Sequence, residues 1–173
     1  MEELERTYLA KTLPLNLSSL PSKDMLDIYV PSTSVHPGLR IRRRGEVLEM
    51  TKKRPVIDGD ASRQREETIP LTKDEYAELA SISGKRVAKT RYYYTEGGID
   101  FEIDVFRDAL EGLVLVDVEF PSVEKKDAFG MPSFCLADVT QEHFTAGGML
   151  CGKTYADIQN DLARFNYRPL SLS

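Results

Sequence analysis

The sequence predicts an α+β fold: seven or eight strands, mostly antiparallel and joined by short turns, with a few helices. Three observations predict it. Short segments of alternating apolar and charged residues recur from end to end, with tight turns between them. Nearly every segment carries one face of charges, and the sign changes between segments. Helical spacing is confined to a few short stretches.

The elements follow in chain order. "ELERTYLA" alternates from the start, with Glu3, Glu5 and Thr7 on one face and Leu4, Arg6 and Tyr8 on the other. "PSKDMLDIYV" reads as the beginning of a helical turn. "GLRIRRRG" and "EVLEMTKK" flank Gly45-Glu46 as a hairpin. Arg40, Arg42 and Arg44 share one face there, and Glu49, Thr51 and Lys53 another. Arg54 to Arg63, with Pro55, Asp58, Gly59 and Asp60, is a loop. "RQREETIPL" sets Gln64, Glu66 and Thr68 against Glu67, Ile69 and Leu71. "TKDEYAELASISG" is a helix with a Thr72/Glu75 capping box, an apolar side at Tyr76 and Leu79, and Gly84 as its stop. "AKTRYYYTEGGIDFEIDVF" is a hairpin turning at Glu96-Gly97-Gly98. "LVLVDVEFP" follows as a strand and "EKKDAFGMPSF" as a loop. In "GKTYADIQNDLARF", Tyr155, Ile158, Leu162 and Phe165 recur at helical spacing over about 153–165.

The 173 residues suit one domain, 1–173, without internal repeats. With 41% hydrophobic and 29% charged residues, the chain is of globular type. A net charge of −5 argues against a general nucleic-acid binder. The two cysteines, Cys135 and Cys151, have no motif spacing and read as buried small apolar residues. "MEELER" is not a signal peptide, and no apolar run reaches membrane-span length. A soluble cytoplasmic protein without a membrane partner is expected.

The polarity of the strands raises a physical problem. Glu102 and Asp104 share a face, as do Asp117 and Glu119, and like charges repeating on adjacent strands repel. Lys89 and Arg91 share a face of opposite sign. One reading is an amphipathic sheet with salt-bridged solvent faces. The other is a closed barrel with its charges inward, where they are costly unless paired or bound to something. An oxygen-rich anion would pair the arginines and lysines, and divalent cations would pair the carboxylates. Together these describe a metal–polyphosphate complex.

The motifs in order resemble the CYTH domain, or triphosphate tunnel metalloenzyme family, over nearly the whole chain. "ELERT" stands where the family has Glu-x-Glu-x-Lys. "RIR" matches its Arg-x-Arg strand, "TKK" its Thr-x-Lys and "KTR" its Lys-x-Arg. Glu66 stands in its paired-Glu strand, with Thr68 where a second Glu is common. "FEIDVFRDALEGLVLVDVEF" resembles its Asp-x-aromatic strand, Gly-Leu turn and Glu-x-Glu strand. "ADVT" resembles a late Glu-Val-Thr segment.

The resemblance implies an eight-stranded antiparallel tunnel and metal-dependent hydrolysis of triphosphates, inorganic triphosphate first, with Mg²⁺ or Mn²⁺ as cofactor. It implies phosphate binding by Arg40, Arg42, Lys53, Lys89, Arg91 and His143. It implies metal binding by Glu3, Glu5, Glu66, Glu102, Asp104, Asp117 and Glu119. Glu3, Glu5, Lys89 and Arg91 are the catalytic candidates: one metal helps hold the triphosphate and another activates a water. The partner implied is a small-molecule triphosphate, the protein a monomer or homodimer, and the C-terminal helix a plug at one tunnel end.

Departures from the pattern are specific. Thr7 replaces the signature lysine, Asp117 a glutamate, and Thr68 a carboxylate. His143 stands where a phosphate-facing arginine is usual. The alternative reading is a catalytically weak polyphosphate- or nucleotide-binding module. The register that turns Glu66 and Lys53 inward, rather than Glu67 and Lys52, keeps Met50 and Ile69 on the apolar face. His36, before Pro37-Gly38, reads as a loop residue, and Tyr92 to Tyr94 as strand packing.

Overall fold

Alternation with a period of two residues dictates strands, and the computed structural model, which describes residues 2–172, has nine. They are β1 (Glu2–Ala10), β2 (Ser22–Val30), β3 (Leu39–Arg44), β4 (Val47–Pro55), β5 (Arg63–Pro70), β6 (Lys85–Glu96), β7 (Ile99–Phe106), β8 (Val114–Glu119) and β9 (Cys135–Asp138). The helices are α1 (Lys73–Ala80), α2 (Val123–Asp127), α3 (Gly147–Leu150) and α4 (Tyr155–Ala163).

Eight strands lie in the order β5-β4-β3-β2-β6-β7-β8-β1. β5 returns to β1 by pairing Arg65 with Glu2 and Arg63 with Leu4. That antiparallel pairing closes the sheet into the expected eight-stranded barrel. The ninth strand, β9, pairs with the far end of β1 through Tyr8 and Leu9. Both anticipated hairpins form. At the β6–β7 turn, Gly97 and Gly98 have φ of 60° and 77°, a left-handed backbone that favours glycine.

Two apolar cores bracket the charges. One lies outside the wall, where Tyr8, Phe101, Ile103, Val116 and Val118 are covered by Leu17 and Phe134. The other closes one end of the barrel. Leu9, Tyr29, Val87, Phe106 and Leu115 pack there with Phe144, Leu150, Ile158 and Leu162. α4 supplies the last two, and its capping box of Thr154 and Asp157 fixes where it starts. Tyr167 ties the tail to this end: its hydroxyl donates to the Gly112 carbonyl at 2.9 Å and accepts from the Val114 N–H at 2.8 Å.

Three local expectations are corrected. "SKDMLDIYV" is strand β2, not a helical turn, because Met25, Asp27 and Tyr29 alternate with Leu26 and Ile28 between two antiparallel neighbours. α1 has its capping box, but it ends at Ala80 with Ser81 as C-cap, not at Gly84. Gly84 instead lets the chain pass close to β2, where a Cβ would lie 2.6 Å from Ile28 Cγ2 and 2.8 Å from the Tyr29 carbonyl. The segment read as "EKKDAFGMPSF" loop holds all of α2 but its first residue, Val123, and the helix is capped by the Ser122 side chain.

The Leu162→Ala substitution, at a side chain 1% exposed, is expected to cost about 2–5 kcal/mol by transfer and cavity terms. Ile69→Ala, at a strand residue 54% exposed, is expected to stay within about 0.5 kcal/mol. Urea denaturation of the two variants beside the parent measures both.

Candidate active site

Closure turns one face of every barrel strand onto a shared cavity of about 750 Å³. All of the residues that the sequence singled out as site candidates line it, among them Glu3 and Glu5 of β1, Lys53 of β4 and Glu119 of β8. Lys53 and Glu66 point inward, as the chosen register requires. The reason given for that register holds only in part, since Ile69 is exposed on the outer face. At the inward strand positions nine carboxylates meet six cations, so the wall carries a surplus of negative charge.

The pairing register decides which charges neutralise each other. Arg42 lies directly opposite Asp27. Its Nε and Nη2 both donate to that carboxylate at 2.7 Å, a two-pronged bond at 8% and 2% exposure. Asp27 escaped the sequence reading because β2 was not seen as a strand; the alternation of Asp27 and Tyr29 with Leu26 and Ile28 was the available signal. Arg40 donates to the Tyr29 hydroxyl at 3.3 Å and to Glu66 at 3.4 Å. Lys53 lies 2.6 Å from Glu3, 3.3 Å from Glu66 and 3.9 Å from Glu5.

Arg91 is the most heavily engaged cation. Its Nε and Nη2 donate to Asp104 at 2.7 Å, Nη2 also to Asp117 at 3.1 Å, and Nη1 to Glu102. Lys89 donates to Asp104 as well. Burial alone would raise the Asp104 carboxyl, but Arg91 and Lys89 outweigh it and hold it well below the usual carboxylate range. Asp27 is desolvated too, and Arg42 nevertheless holds it down at about 2. Burial pulls the Lys89 ammonium down against the attraction of Asp104.

Beside Arg91, along β7, β8 and β1, the register sets like charges face to face. Glu5 is opposite Glu119, and Glu102 is opposite Asp117. Burial, with Glu5 and Asp104 nearby, pushes Asp117 up to about 8. Burial and then Glu102, Glu5 and Glu3 raise Glu119. Thr7, in place of the signature lysine, donates from its hydroxyl to Asp117 at 2.8 Å. Arg6 faces the other way, toward Asp138 at 3.6 Å.

These carboxylates fit hard divalent cations: an all-oxygen donor set, crowded with its own charge, on three adjacent strands. As they stand, no three acid, histidine or cysteine side chains among the described residues converge as metal ligands do. Arg91 and Lys53 each sit among several of these acids. At the rim, His143 stands in the His143–Thr145 turn, with its ring centroid 6.5 Å from that of His36. The sequence left His36 as a loop residue, yet it too lines the cavity. Tyr92 and the buried thiols of Cys135 and Cys151 pack into the fold away from the cavity.

The raised Asp117 carboxyl sets a pH dependence. Its folded value lies above its unfolded one, so the folded state binds the extra proton between about pH 4 and 8. Stability of the metal-free protein is expected to be greatest at the acid side of that window and to fall as pH rises through it. Asp117→Asn is expected to flatten the slope. Melting temperatures in chelator from pH 5 to 8.5 check both.

No protein-family model matches the chain. An inorganic triphosphatase of Nitrosomonas europaea is 37% identical over 145 residues, spanning 82% of this chain and 91% of that one. The crystal structure of the inorganic triphosphatase NE1496 superposes with a TM-score of 0.63 at 29% identity, over 87% of this chain and 95% of the other. A putative adenylate cyclase of Bacillus halodurans shares the fold, with a TM-score of 0.52 at 15% identity over 99% and 93% of the two chains. With the barrel, the two-signed cavity and this identity in hand, the chain belongs to the triphosphate tunnel, or CYTH, family.

Proposed function

We propose that this protein hydrolyses inorganic triphosphate with the help of a divalent metal, Mg²⁺ or Mn²⁺. The observation that carries this reading is the cavity wall, on which a bank of arginines and lysines faces crowded, like-charged carboxylates. The inorganic triphosphatase at 37% identity supports the choice of substrate.

The residues take separate roles. Arg40 and Arg42 offer planar forks to phosphate oxygens, and Asp27 fixes the orientation of Arg42. Lys53 and Lys89 offer point charges, and His143 a donor at the rim. Arg91, held rigid by Asp104, is aimed where charge develops on the phosphoryl group. Glu3, Glu5, Glu66, Glu102, Asp117 and Glu119 provide the oxygens for the metal, with Asp104 behind them. A bound divalent ion offsets the surplus negative charge and acidifies a water. The apolar layer of Val87, Phe106 and Leu115 keeps bulk water from one end of the site. Neither nucleic acid nor a membrane enters this reading, and no helix among the described residues is long and apolar enough to cross a membrane. Monomer and homodimer serve it equally.

A second reading, a polyphosphate-binding module with little turnover, draws on Thr7, which removes a cation from the catalytic wall. Phosphate release from tripolyphosphate, with Mg²⁺ and then Mn²⁺, separates the two. Turnover is expected in the parent, with a loss of about a hundredfold or more in Glu5→Gln. Thermal stabilisation by triphosphate and metal without phosphate release would favour the binding module. Absence of both would remove both readings.

A further inference from the structure

The cations assigned to phosphate and the carboxylates assigned to metal are each other's partners. Arg91 directs Nε, Nη1 and Nη2 at Glu102, Asp104 and Asp117, with its side chain 12% exposed. Lys53 is ringed by Glu3, Glu5 and Glu66. Arg91 has Nε, Nη1 and Nη2 each committed to a carboxylate, and Lys53, its side chain 30% exposed, is held most closely by Glu3 at 2.6 Å. Around Arg91 the carboxylate best placed to open is Glu102, at 25% side-chain exposure against 12% for Asp117 and 1% for Asp104. On Lys53 the contact that matters most is that closest one, Glu3, with Glu5 at 3.9 Å.

We infer that the cavity is a charge interlock in which Glu102 and Glu3 hold Arg91 and Lys53 closed to phosphate until a divalent cation takes those carboxylates. Asp104 stays with Arg91 throughout as its buried anchor. Triphosphate alone would leave Glu102 and Glu3 short of their cations, and metal alone would leave Arg91 and Lys53 each short of one carboxylate, though Asp104 and Asp117 stay near Arg91 and Glu5 and Glu66 near Lys53. Unpaired charge in a desolvated site is costly. Each ligand therefore raises the affinity for the other, and by linkage the two factors are equal. This rests on the triphosphate reading and adds a named pair of gating carboxylates to it.

Glu119 provides a charge-matched control. It faces the same cavity and forms no ion pair among the described residues, although Lys53 acts on it from beyond ion-pair distance. Removing its charge weakens the general negative potential without freeing a cation. Isothermal titration with a methylene-bridged triphosphate, which cannot be hydrolysed, is done in chelator on the parent, Glu102→Gln, Glu3→Gln and Glu119→Gln.

The interlock predicts that Glu102→Gln and Glu3→Gln each tighten metal-free binding by about tenfold or more, while Glu119→Gln gives a markedly smaller gain. Equal gains in all three variants, or none in the first two, overturn the interlock and leave the triphosphate reading standing. If Glu102→Gln fails to fold, Glu3→Gln against Glu119→Gln decides alone. The parent titrated with the analogue plus Mg²⁺ tests the underlying reading separately: no heat and no shift in melting temperature there overturns the triphosphate site itself.

Discussion

The guanidinium of Arg91 joins three carboxylates, Glu102 and Asp104 on β7 and Asp117 on β8, and the polar interior depends on that junction. A barrel of this size is ordinarily filled by side chains, and here they are charged. Arg91 makes such filling tolerable on one side, as Arg42 with Asp27 does on the other. Both are two-pronged bonds between strands that already pair, so side-chain and backbone ladders fix the same register. A slip of one residue would turn these charges out and the apolar residues in. The register is thereby set from both faces of the wall.

The same arrangement explains why the cavity is a site and not only a packed interior. Asp27 and Asp104 are satisfied by cations directly opposite them and stay ionised. Glu5 with Glu119, and Glu102 with Asp117, are set opposite like charges, which weakens a ladder. A fold that needed only stability would place apolar pairs there. These carboxylate pairs lie on β1, β7 and β8, while the apolar end layer and the outer core bear the packing. Among the inward acids of β7 and β8, Asp104 thus faces a cation, while Glu102, Asp117 and Glu119 face like charges.

Much of this was legible in the sequence because a strand's period of two assigns every residue to a face. The eight barrel strands, their inward residues and both hairpins follow from that rule, apart from β2. There, "SKDMLDIYV" has polar residues only at its start and one buried aspartate, so the alternation is short and Asp27 was not assigned to a face. The capping boxes of α1 and α4 are local signals and were readable. The end of α1 was not, because Gly84 serves a close approach to β2, a contact no local pattern records. His36 and His143 lie far apart in the chain, and the closing of the cavity rim by the segment after β9 brings their rings to 6.5 Å. No periodicity encodes a meeting of that kind.

Thr7 shows how one departure from a family pattern redistributes charge. A lysine there would raise the inward cations and sit beside Asp117 and Glu5. The threonine hydroxyl still holds Asp117, at 2.8 Å, so the orientation of that carboxylate is kept. What is lost is the neutralising charge, and Asp117 answers by taking up a proton more readily, its value pushed up to about 8 by burial and its acidic neighbours. The carboxylate needed as a donor is then least available where its charge is least compensated. A cation loaded there would, on the proposed reading, displace that proton, and metal affinity would rise with pH through the same range. On the proposed reading, the missing lysine transfers its electrostatic task to the divalent ions, and the tunnel leans on metal more heavily than a lysine-bearing wall would.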